Sequence, residues 1–192
     1  MSHSHHHQTD FGRAFAIGVL LNTGFIVAEV VFGLLSHSLA LLADAGHNLA
    51  DVMGLLMAWA AASLGRRSAT ERFTYGLRRT SVLAALFNAI LLLVGVGAIA
   101  AEAIRRFGNP EPVAGLTMIG VAAAGIIVNG VTAWMFASGR HGDLNIRGAF
   151  LHMAADAAVS AGVVVAGVVI LRTGWLLLDP ISSLIIVVII RA

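Results

Sequence analysis

The stretch LADAGHNLADVMGLLMAWAA, Leu42 to Ala61, sets Asp44, His47 and Asp51 inside an otherwise apolar helical run. An ionisable side chain at the centre of a bilayer costs about 2.5 to 3.5 kcal/mol on insertion scales, so three of them in one run demand a use. The rest of the chain supplies the hydrocarbon context. Of 192 residues, 58% are hydrophobic and 11% charged, more apolar surface than a soluble fold of this length can hide. The expected fold is an all-α integral membrane protein.

Six apolar runs follow one another, at 11–35, 39–64, 81–104, 113–137, 149–171 and 175–190. About 20 residues at 1.5 Å each cover roughly 30 Å of hydrocarbon, so each of the first five reaches across a bilayer. The sixth is short. In LLDPISSLIIVVII, Asp179 and Pro180 read as its N-cap and first helical residue. The chain stops two residues after Ile190, so we expect that this helix, and a further domain, were cut off there; residues 11–192 hold a six-helix transmembrane domain and no cytoplasmic C-terminal domain. The polar start MSHSHHHQTD lacks a basic n-region, which predicts that the first span is retained.

Charge placement orients the bundle. With the N-terminus inside, Arg13, Arg66, Arg67, Arg72, Arg78, Arg79, Arg140, Arg147 and Arg191 fall on the cytoplasmic side, against Arg105, Arg106 and Arg172 on the other. Nine against three predicts both termini in the cytoplasm. All twelve basic residues are Arg, but the net charge is only +2; scattered arginines of this kind make no nucleic-acid footprint. Cysteine is absent, which rules out thiolate ligands and leaves nitrogen and oxygen to hold any metal.

One short pattern recurs: His47 with Asp51 in the second run, and His152 with Asp156 in the fifth. Positions i and i+4 stand one turn apart on one helix face, so each pair aims an imidazole and a carboxylate the same way. A single pair reads equally as a satisfied structural contact or a proton relay. Two matching pairs offer the four N and O donors of a tetrahedral Zn²⁺ site, and a bound dication removes the penalty of a buried anion. Gly46, Ala50, Gly54, Ala58 and Ala62 recur every four residues beside this face and predict close approach of a partner helix. Ala154, Ala158, Gly162 and Ala166 form a second row, nearly opposite Asp156, expected to pack on a different neighbour.

Several segments resemble the cation diffusion facilitators, divalent-cation/proton antiporters of the zinc type. SLALLADAGHNLAD resembles that family's second-helix signature, FTYGLRRTSVLAALFNA the entry to its third helix, and NIRGAFLHMAADAAVS with DPISSL its fifth and sixth helices. The resemblance runs over nearly the whole chain. It implies that His47, Asp51, His152 and Asp156 form an intramembrane transport site, that two His-Asp pairs favour zinc over manganese, and that the protein is a homodimer with alternating access. Zinc is then substrate rather than cofactor, and the setting is multi-pass, in a bacterial inner membrane. There are departures: Ser81 stands where members often carry Glu after Arg78 and Arg79, and the histidine-rich loop of some zinc members shrinks to SGRHGDLN.

Other polar residues carry lesser expectations. Asp44 shares the face of His47 and reads as a supporting carboxylate, a proton acceptor or a helix-entry residue. Asn22 is a candidate for the ion path, and Glu29, seven residues on, is expected to be paired near the outer end. Asn88, Asn129 and Ser160 read as interhelical hydrogen-bonders, with Ser160, one turn beyond Asp156, supporting the site. His3, His5, His6 and His7 make residues 1–10 a metal-attracting tail, whereas His37 and His141 fall in solvated loops.

Ligand chemistry supplies a mechanism. His must be neutral and Asp ionised to bind metal, so protons and Zn²⁺ compete for the same four side chains and a pH gradient can drive export. Cd²⁺ and Co²⁺ share these ligands. Two rivals stand beside this reading: a multi-pass metalloenzyme using the same residues with Asp44 as base, and a membrane scaffold in which the pairs only hold helices together.

Overall fold

The computed structural model describes residues 11–65, 78–140 and 144–189. They form six helices: α1 (Phe11–Leu35), α2 (Leu39–Gly65), α3 (Arg78–Gly108), α4 (Gly115–Phe136), α5 (Leu144–Thr173) and α6 (Leu178–Ile189). Four contain stretches long and apolar enough to cross a membrane, at Ala16–Leu35, Leu86–Gly108, Gly115–Phe136 and Ile146–Thr173. α2, at 27 residues, also has the length. α6 is a shorter apolar helix of 12 residues.

The helix ends differ from those expected. α3 begins at Arg78 and continues to Gly108, and α5 runs from Leu144 to Thr173, each longer than its apolar run. Hydropathy marks the thickness of hydrocarbon, whereas i to i−4 hydrogen bonding continues into polar turns at either end. α6 begins at Leu178 rather than 175, after a turn in which Gly174 adopts φ +69 and its N–H bonds the Ile170 carbonyl at 2.8 Å. That left-handed residue ends α5, as glycine does at helix C-termini.

α2 is the hub, touching all five other helices, and α4 lies along α5. The packed core belongs to one half of the bundle. Ala40, Leu41 and Ala43 of α2 meet Met118 and Ala122 of α4, Val163, Ala166 and Ile170 of α5, and Ile186 of α6. These residues lie toward the end that carries the α1–α2 turn.

Polar bonds lock that same end. Asp179 was expected to cap its own helix; instead it is fully buried in the first turn of α6 and caps α2. Its carboxylate accepts from the Ser38 hydroxyl at 2.7 Å and from the N–H groups of Leu39 and Ala40 at 2.8 and 3.2 Å. Ser38 is the N-cap of α2, its hydroxyl accepting from the Leu41 N–H at 3.3 Å. The orphan N–H groups of that first turn, and its positive dipole end, are thereby met by a carboxylate reaching across from another helix. Arg106 of α3 donates to the His37 carbonyl, lies 3.5 Å from Asp179 and pairs with Glu102 and Glu111. Exposed Arg105 pairs with the same two glutamates.

The small-residue rows turn out differently from one another. Gly46 faces Ile99 of α3 at 3.9 Å; the side chains of Gly54, Ala58 and Ala62, like those of Arg78, Arg79 and Ser81, lie outside the described residues. On α5, Ala166 joins the core but Ala158 and Gly162 are exposed, so that row forms no seam among the described residues.

Candidate metal site

Two helices bring the four predicted ligands together. His47 and Asp51 lie one turn apart on α2, His152 and Asp156 one turn apart on α5, and the pairs face each other across the bundle. The contacts close into a ring in which every imidazole sits between two carboxylates. His47 Nδ1 is 3.6 Å from Asp51 Oδ2, and His47 Nε2 is 3.4 Å from Asp156 Oδ1. His152 Nε2 is 3.2 Å from Asp51 Oδ2 and 3.6 Å from Asp156 Oδ2. The two rings meet edge to face, their centroids 6.0 Å apart.

These separations carry chemical information. In a tetrahedron the ligand-to-ligand edge is about 1.63 times the bond length, so Zn–N and Zn–O bonds of about 2.0 to 2.2 Å imply edges of roughly 3.3 to 3.6 Å. The four observed edges run from 3.2 to 3.6 Å. His47 uses a different nitrogen, and Asp156 a different oxygen, for each of its edges, so both side chains must turn to present one donor atom to a shared centre. His47 Nδ1, Asp51 Oδ2 and Asp156 Oδ2 are buried without a hydrogen-bond partner among the described residues. Buried polar atoms rarely go unpaired, and a cation between them would satisfy all three. Among the described residues, His47, Asp51 and Asp156 each offer one ligand atom within 4.8 Å of the others, a group that could hold a metal ion, and His152 stands at its edge.

A cavity of about 690 Å³ leads to this point. Asn22, Asn48, Asp51, Thr132, His152 and Asp156 are among its lining residues, together with Leu144 and Gly148 from the start of α5. It thus occupies the half of the bundle where α2 and α4 end and α1 and α5 begin, opposite the packed core. Asp156 is buried, and His152 is the most exposed of the four, turned to the cavity.

The supporting candidates separate into two places. Asn22 lines the cavity; its amide donates to the Gly18 carbonyl at 3.0 Å and points at the Met153 sulfur at 3.6 Å. Asp44 and Ser160 instead lie one turn away from the ligands on the core side, joined by a 3.3 Å hydrogen bond from the Ser160 hydroxyl. Glu29 was expected near the outer end with a partner there. It is fully buried beside Asp44 and accepts from Asn48 at 3.0 Å. Asn48, next to His47 and one turn from Asp44, was not anticipated, although that spacing could have flagged it. Gly125 on α4 makes room for this cluster: a Cβ there would stand 2.5 Å from the Phe25 ring and 2.8 Å from the Ser160 hydroxyl. Asn88 and Asn129 are buried, and both polar side-chain atoms of Asn129 lack a partner among the described residues. His37 is exposed in the α1–α2 turn; His141 and the tail histidines lie outside the described residues.

The fold is a bundle with helices long and apolar enough to cross a membrane, and it carries a His/Asp group that could hold a metal ion. The chain belongs to the cation efflux family, whose transmembrane-domain model matches residues 15–192. It is 42% identical over 193 residues to zinc transporter ZitB of Escherichia coli, covering 97% of this chain and 62% of that protein. It is 40% identical over 188 residues to zinc transporter ZitB of Pectobacterium atrosepticum, with 97% and 59% covered. It is 36% identical over 192 residues to the cadmium, cobalt and zinc/H(+)-K(+) antiporter of Bacillus subtilis, with 99% and 61% covered. The chain thus spans about three fifths of the length of these relatives.

Proposed function

We propose that this chain carries Zn²⁺, with Cd²⁺ and Co²⁺ as further substrates, out of the cytoplasm in exchange for protons. His47, Asp51, His152 and Asp156 hold the ion. The observation that carries this reading is the ring of four edges at 3.2 to 3.6 Å between α2 and α5. The names of the relatives, zinc transporters and a cadmium, cobalt and zinc antiporter, agree with it.

The path follows from the asymmetry of the bundle. The bundle spans the membrane with both termini in the cytoplasm, in a bacterial inner membrane, and the protein works as a homodimer. The 690 Å³ cavity then opens to the cytoplasm and the packed core closes the far side, an inward-open state. Metal enters past Asn22, exchanges water for the four ligands and displaces their protons. Rocking of the helices exposes the ligands to the other side, where protons reclaim them and release the ion.

Proteoliposomes test this. Asp51→Ala and His152→Ala each remove one ligand, and zinc uptake is expected to fall at least about tenfold. Wild-type uptake in either variant would overturn the assignment. Zinc-dependent proton counterflow separates a transporter from a metalloenzyme or a scaffold, because neither of those moves charge vectorially.

A further inference from the structure

The ligand ring leaves two buried acids unused. Glu29 on α1 and Asp44 on α2 are both fully buried. Glu29 Oε2 accepts from Asn48 Nδ2 at 3.0 Å, and Asp44 Oδ2 accepts from Ser160 Oγ at 3.3 Å. The other oxygen of each acid, Glu29 Oε1 and Asp44 Oδ1, is buried with no hydrogen-bond donor among the described residues. Asn48 follows Asp44 by four residues on one face of α2, so its hydrogen bond to Glu29 brings the two carboxyl groups to the same place between α1 and α2. Two ionised carboxylates are acceptors only and repel there, whereas one proton between them supplies the missing donor.

α2 turns His47 and Asn48 toward the pair, and α5 turns Asp156 and Ser160. α4 has no titratable side chain, and in α1 the only other charged residue is Arg13, whose side chain lies outside the described residues. Among the described side chains of α3 and α6, the charged groups are engaged elsewhere, Arg106 with Glu102, Glu111 and Asp179, and Arg105 with Glu102 and Glu111; those of Arg78 and Arg79 lie outside the described residues.

We propose that Glu29 and Asp44 share one proton across Oε1 and Oδ1, forming a proton-binding site separate from the metal ligands. The inference rests on the antiport reading and deepens it by giving a counter-transported proton a place of its own. Asp44 precedes His47 by three residues and Ser160 follows Asp156 by four, so the pair lies about one helical turn, roughly 5.4 Å, outward of the ligands. It stands between them and the closed end. Release turns one carboxyl and one carboxylate into two carboxylates, with the proton passing to water; uptake is the reverse. A dication on the ligands favours release because it offsets the added negative charge, so metal and shared proton exclude one another without sharing a ligand. The two hydrogen bonds connect the pair to both ligand helices, through Asn48 beside His47 and through Ser160 one turn from Asp156.

Glu29→Gln is the direct probe, since its amide keeps the shape of the acid and donates permanently to Asp44. Zinc is added to purified protein in weakly buffered solution with a pH indicator, and bound metal is counted in parallel. Glu29→Gln is expected to release about one proton fewer per zinc bound than wild type while binding the same amount of zinc. The tail's contribution cancels in that difference. In proteoliposomes the variant's uptake should lose much of its dependence on an imposed pH gradient. Should Glu29→Gln fail to fold, Asp44→Asn carries the same expectation from the other side of the pair. An unchanged proton count with unchanged gradient dependence overturns the proposal, as does loss of one bound zinc, which would make the pair a metal site. Asp51→Asn in the same assays keeps the two readings apart: wild-type uptake there overturns the transport assignment, whereas the Glu29→Gln result bears on the pair.

Discussion

His47 contributes nitrogen to a ring whose other members supply one more nitrogen and two carboxylate groups. Imidazole suits zinc, whereas carboxylate suits harder ions such as Mn²⁺. His47→Asp is therefore expected to shift the preference away from zinc and toward manganese, measured as the ratio of the two uptake rates in proteoliposomes; an unchanged ratio would argue against His47 as a ligand. Ser160 acts differently, since it touches Asp44 and no ligand atom in the ring. Ser160→Ala leaves a buried carboxylate oxygen without its donor, at a cost of about 1 to 2 kcal/mol in stability. The check is a thermal melt in detergent. The i, i+4 spacing made the clustering of these four side chains legible, because helical periodicity alone places each pair on one face. Glu29 was not legible in that way: α1 is apolar on all sides, so no amphipathic pattern tells which way its one acid points.

Between helices, the strongest tie is the Asp179 carboxylate on the start of α2, three hydrogen bonds linking segments 140 residues apart. Asp179→Ala orphans those donors and should cost about 2 to 4 kcal/mol, lowering the melting temperature by about 5 to 15 °C in a chain of this size. A shift below about 1 °C would mean that the cap contributes little. Gly125→Ala tests the packing seam, since its methyl group would press on Phe25 and Ser160; overpacking of that kind costs about 1 to 3 kcal/mol. Asp179 also shows where sequence reading stops. The Asp-Pro pair signals a helix start, and α6 does begin there, but nothing local says that the carboxylate serves another helix. The same holds for helix ends: apolar runs gave the six elements, while the polar turns that lengthen α3 and α5 carry no hydropathy signal.

The bundle as a unit is lopsided, with core at one end and a 690 Å³ cavity at the other. The chain has no cysteine, so a single introduced thiol reports access cleanly. Ala149→Cys lines the cavity and should react with a membrane-impermeant maleimide from the cytoplasmic side, more slowly when zinc is bound. Leu41→Cys, in the core, should stay unreactive from both sides in the same state. Equal labelling of the two would contradict the inward-open assignment. The account as a whole depends on one ion meeting four side chains from two helices. Crystals of the zinc-loaded protein, recorded at the zinc absorption edge, would locate that ion. The expected result is an anomalous peak between α2 and α5 with His47, Asp51, His152 and Asp156 each at about 2.0 to 2.2 Å. A peak bound by other residues, with these four left free of metal, would contradict it.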